Sequence, residues 1–99
     1  MSDKLKNKDR DRLYEAILML QSVEECYEFF DDLCTIAEIK AMTQRFQVAT
    51  MLKSGMVYSD IVEKTGASTA TISRVNRCLE YGKDGYSKAL ARLEEKGKS

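Results

Sequence analysis

Ninety-nine residues, with 16 acidic and 16 basic side chains, describe a single domain with a modest core and no overall charge. The three cysteines (Cys26, Cys34, Cys78) are odd in number, lack C-x-x-C spacing and have no histidine in the chain, which argues against a zinc site or a disulfide framework and for a reducing cytosol. No 18-residue apolar run exists and residues 1–11 are charged, so neither a membrane span nor a signal peptide is expected.

Proline is absent and the apolar periodicity is helical, which predicts an all-α chain of six helices. Residues 1–7 read as a frayed or disordered leader. A first helix spans residues 8–20, with Leu13, Ile17 and Leu20 on one face and Tyr14 and Leu18 beside it. Ser22 and Glu25 have capping-box spacing and open a second helix to about Leu33. Its apolar positions are Val23, Cys26, Tyr27, Phe30, Leu33 and Cys34; Phe29 lies off that stripe, as if the helix were covered on two sides. Thr35 and Glu38 repeat the box and open a long third helix to about Ser54, with Gly55 as its C′ residue.

The next stretch, YSDIVEKTGASTATISRVNRCL, reads as a helix-turn-helix extending over residues 58–81. A short helix over 59–65 turns Ile61 and Val62 inward. Gly66 supplies the positive φ of a tight turn, Ala67 lets the helices approach, and Ser68 sits at an N-cap. The second helix is expected to bury Ala67, Thr71, Ile72 and Val75 and to turn Thr69, Ala70, Ser73, Asn76 and Arg77 outward. Small polar residues at its start can approach base edges, while Arg74 and Arg77 can reach phosphates or a guanine. The candidate DNA-binding residues are therefore Ser59, Ser68, Thr69, Ala70, Ser73, Arg74, Asn76 and Arg77. An ordinary helical hairpin with a glycine cap is the plain alternative. The absence of any acid from Gly66 to Leu79 favours DNA. A last helix follows Gly85 over residues 86–95, with Ala89, Leu90 and Leu93 inward, and residues 96–99 form a polar tail. Residues 8–95 thus make one helical domain.

Charge is unevenly spread. Residues 21–40 carry six acids against Lys40 alone, whereas residues 41–93 carry eight basic residues against four acids. Charges beyond about 10 Å are screened, so a polarised chain can bind DNA at one end while its neutral total weakens non-specific binding. No enzyme is expected: histidine is absent, the cysteines lack a base, and Asp31 and Asp32 suit a solvated face. No metal or cofactor is implied. A second reading is a dimeric protein-interaction module that docks a partner through its acidic face over residues 24–32. The wide apolar stripes of the first three helices exceed what so short a chain can cover, and a homodimer is the economical solution.

The runs EECYEFFDDLCTIAEI, QRFQVATMLKSG and TGASTATISRVNRCLEYG resemble the Trp repressor family, and within it the YerC/YecD group, over about residues 3–93. The resemblance implies an intertwined homodimer in which the first three helices of each subunit interlock and the helix-turn-helix projects as a reading head. It implies a cytoplasmic repressor on a double-stranded DNA operator, with half-sites about 34–36 Å apart as for helix-turn-helix dimers generally, the Trp repressor among them. It also implies a corepressor pocket: Arg45 and Arg74 would sandwich an indole, with Thr71 nearby. Here the chain departs from the family. Val75 stands where the family has a glycine, and Cys78 where it has a pocket serine. The departures point to a DNA binder that tryptophan does not gate, and leave a small-molecule corepressor an open question.

Overall fold

The structure, a computed structural model, describes residues 7–97. It contains six helices: α1 (Lys8–Leu18), α2 (Val23–Leu33), α3 (Ile36–Lys53), α4 (Tyr58–Thr65), α5 (Thr69–Tyr81) and α6 (Gly85–Gly97). No strand forms among the described residues. Local chemistry sets most boundaries. Asn7, in extended backbone, accepts the N–H of Arg10 on its side-chain oxygen at 2.7 Å. It is thus the N-cap of α1 rather than the end of a leader, whose residues 1–6 lie outside the described ones.

Both capping boxes form, with a difference. Ser22 Oγ accepts from the N–H of Glu25, and Thr35 Oγ1 from the N–H of Glu38, each at 3.1 Å. The Glu38 carboxylate returns to the N–H of Thr35 itself at 2.8 Å, whereas Glu25 reaches one residue further back, to Gln21 at 3.1 Å. The backbone N–H of Thr35, and after it the Thr35 side chain, hold the Glu38 carboxyl below its ordinary range because they bond its charged form. At the other end of α3, Gly55 takes φ 87°. Its N–H bonds Leu52 O at 3.0 Å and that of Met56 bonds Met51 O at 3.1 Å, the paired bonds of a Schellman stop.

The chain divides into two compact units, Met1–Ile39 and Lys40–Ser99. In the first, no residue of α1 or α2 is fully buried. Leu13, Ile17 and Leu20 are half-buried. Leu18, Met19, Val23 and Tyr27 are 66–78 % exposed. Phe29 and Phe30 meet edge to face, 5.4 Å between centroids.

The second unit holds the core. Val48 and Ala49 of α3, Ile61 of α4, Ala67 of the turn, and Ile72 and Val75 of α5 are at most 1 % exposed. Leu52, Met56, Val62, Leu79, Tyr86 and Leu90 pack around them. Helix α6 starts one residue earlier than the sequence suggests and runs to Gly97, so only residues 98–99 of the polar tail lie outside the described ones. Leu93, expected inward, is 55 % exposed. It lies one turn beyond Leu90, past the reach of the core.

Candidate nucleic-acid interface

Helix α4 stops where Gly66 enters the left-handed region at φ 73°, and the Gly66 N–H returns to Val62 O at 2.8 Å. Thr65 locks the turn from inside. Its hydroxyl donates to Ile61 O at 2.7 Å and accepts the N–H of Ala67 at 3.1 Å. Gln44, from α3, donates its side-chain amide to Thr65 O at 3.2 Å. Neither residue stood out in the sequence. The threonine bond is local and foreseeable, but Gln44 is 21 residues away and only the fold brings it there.

Ser68 then starts α5. Its Oγ accepts the N–H of Thr71 and donates to the Thr71 hydroxyl, both at 3.1 Å. This satisfies one of the orphan donors of the first turn and leaves the start of the helix free of acidic side chains. Ile72 and Val75 anchor the inward face. Ser68, Thr69, Ala70, Ser73, Arg74 and Arg77 are exposed, as the helical period places them, and Ser59 is exposed on α4. Asn76 differs from expectation. It is half-buried, and its amide donates to Glu80 Oε1 at 3.2 Å. Thr71, expected buried, is half-buried because its hydroxyl serves the cap. At the far end the Gly82 N–H closes on Cys78 O at 3.0 Å. The carbonyl of Cys78 also occupies the space that a Gly82 Cβ would need.

The arrangement is a rigid turn that sets one helix, with two exposed arginines and small polar residues, on the surface of a packed core. The sequence model of the Trp repressor protein family matches residues 8–94. The chain belongs to the Trp repressor family. It is 58 % identical over 93 residues to YerC, an uncharacterised protein of Bacillus subtilis (strain 168), a span that covers 94 % of this chain and 89 % of that one. A candidate Trp repressor from Staphylococcus aureus has a TM-score of 0.90 at 52 % identity, covering 93 % of this chain and 92 % of the other. A TrpR-like protein from Eubacterium eligens ATCC 27750 gives the same TM-score, 0.90, at 55 % identity over 93 % and 95 % of the two chains. The all-α, Trp repressor-like fold expected from the sequence is the one observed.

The residues expected from the resemblance to line a corepressor pocket have diverse surroundings here. Arg45 is half-buried on α3, and Arg74 is exposed on α5. Val75 is 1 % exposed, its isopropyl group part of the core. Cys78 is exposed, and the Thr71 hydroxyl is engaged by Ser68. A groove of about 460 Å³ runs along α3, lined by Met42, Thr43, Phe46, Gln47, Thr50 and Met51. Another, of about 440 Å³, lies against Leu90, Ala91 and Leu93. None of the five pocket residues lines either. Among the described residues no helix is long and apolar enough to cross a membrane.

Proposed function

We propose that this member of the Trp repressor family is a sequence-specific DNA-binding transcriptional regulator, a homodimeric repressor of the cytosol that tryptophan does not gate. The observation that carries the reading is the α4–Gly66–α5 unit. Its turn is fixed by hydrogen bonds on both sides, and its second helix presents Thr69, Ala70, Ser73, Arg74 and Arg77 without a carboxylate among them.

In this reading α5 enters the major groove by its N-terminal end. Thr69, Ala70 and Ser73 are short enough to let the helix approach base edges closely. Arg74 and Arg77 neutralise phosphates or grip a guanine, Ser59 bonds the backbone and sets the register, and Ser68, whose hydroxyl is engaged by Thr71, fixes the start of the helix there. Two such helices are needed for a site long enough to be selective, and the apolar side chains left exposed on α1 and α2 support a second chain as their cover. The core position of Val75 and the exposure of Cys78 support an effector-independent reading head, because packing alone sets it.

Selection of bound sequences from a random duplex pool, with and without L-tryptophan, tests the proposal. The expected result is one two-fold symmetric motif, identical in both arms. No enriched motif, or one enriched only with tryptophan, counts against it. Added salt separates this reading from docking of a protein partner on the acidic face: DNA binding fades steeply through counterion release, a hydrophobic dock does not.

A further inference from the structure

Thr69, Ser73, Asn76 and Glu80 are spaced by four, three and four residues, which aligns them along one side of α5. Glu80 is the only acid of that helix and lies in its last turn, where the helix dipole disfavours negative charge. The helix dipole therefore does not explain it. Its contact does: the Asn76 amide nitrogen donates to Glu80 Oε1 at 3.2 Å. A carboxylate can only accept, so the amide must present its nitrogen to Glu80 and turn its oxygen away. One N–H is used, and the amide oxygen and the second N–H are left as an adjacent acceptor and donor. That pair complements the adenine edge in the major groove, where N6 donates and N7 accepts.

We propose that Asn76 reads an adenine in each half-site and that Glu80 is its positioning residue, holding the amide against a flip. The proposal rests on the DNA-binding reading above. Site selection is run with the wild type, Asn76→Ala, Glu80→Ala, Glu80→Gln and the double alanine variant, each checked for helix content and Tm. The wild type should enrich adenine at one half-site position. Asn76→Ala and Glu80→Ala should each lose about tenfold in preference for it over other bases, the double variant should lose no more, and the rest of the motif should stay. Glu80→Gln should recover the preference, since its carbonyl oxygen still accepts from Asn76. A loss confined to one base, rescued by glutamine, is not what a merely loosened helix gives. Adenine preference kept in Glu80→Ala, or additive losses in the double variant, would overturn the assignment while leaving DNA reading intact. A wild type that enriches no sequence overturns both.

Discussion

Arg74 and Arg77 leave α5 three residues apart, both exposed and neither needed by the core. Arg74→Ala and Arg77→Ala should each weaken DNA binding by about 1–3 kcal/mol where the guanidinium grips a guanine, and by less where it meets only phosphate. Fluorescence anisotropy on a selected site measures this. Changes at Thr69 and Ser73 should alter which sequence is preferred, and a double variant with unchanged affinity and preference would unseat α5 as the reading helix. Val75 carries the opposite kind of prediction. Its side chain is buried with Val48, Ala49, Ile61, Ala67 and Ile72, and overfilling a packed site costs on the order of 1–3 kcal/mol. Calorimetry should detect no L-tryptophan binding at sub-millimolar ligand, and DNA affinity should not respond to the amino acid. Saturable binding with a matching gain in affinity for DNA would show that the slot lies elsewhere.

The turn and the caps can be tested element by element. Beyond its own chain neighbours nothing lies within 4 Å of where a Gly66 Cβ would stand, so Gly66→Ala meets only the strain of its left-handed φ of 73°. About 1–2 kcal/mol of stability should be lost in urea, and Gly66→Asn should lose less because asparagine tolerates that region. Glu38 adds a pH dependence. Its carboxyl is held below the ordinary range by Thr35, so its contribution is full above the unfolded-state value of about 4.3. The contribution is lost as pH falls through the lower folded-state value. The stability gap between wild type and Glu38→Gln should accordingly be open at neutral pH and close in acid. A gap that persists unchanged to low pH would assign it to packing instead.

These caps were legible in the sequence because Ser22, Thr35, Gly55, Gly66 and Ser68 act within three or four residues of themselves. The start of α1 at residue 8 was legible, but Asn7 was read as the end of a leader because a charged run surrounds it and nothing marks it as a cap. Asp84, at φ 65°, was missed because a left-handed aspartate before α6 carries no glycine signal. The exposed residues of α5 followed from its period, but the engagement of Asn76 by Glu80 depends on rotamers that no periodicity records.

For the whole molecule, the contrast between the units decides the expectations. The second buries six apolar residues around α5, while α1 and α2 bury none. Sedimentation should find a dimer at micromolar concentration, and the unfolding midpoint should rise with protein concentration because folding and association are linked. Phe30, half-buried against Phe29, should cost about 3–5 kcal/mol as Phe30→Ala where the second chain completes its burial. Melting independent of concentration would leave the intertwined homodimer without support. Sequence periodicity marked the apolar faces of α1 and α2, and their width already exceeded what so short a chain can cover; which side chains stay open needed the structure.

That openness has a consequence during biosynthesis. Translation proceeds at about 5–20 residues per second from the N-terminus, so Met1–Ile39 is made before the helices that build the core. Leu18, Met19, Val23 and Tyr27 gain no full cover even when the chain is finished. Each newborn chain therefore carries an adhesive strip whose lifetime depends on how soon something else covers it. In the homodimer proposed above, several ribosomes on one message would shorten that wait and a sparse message would lengthen it.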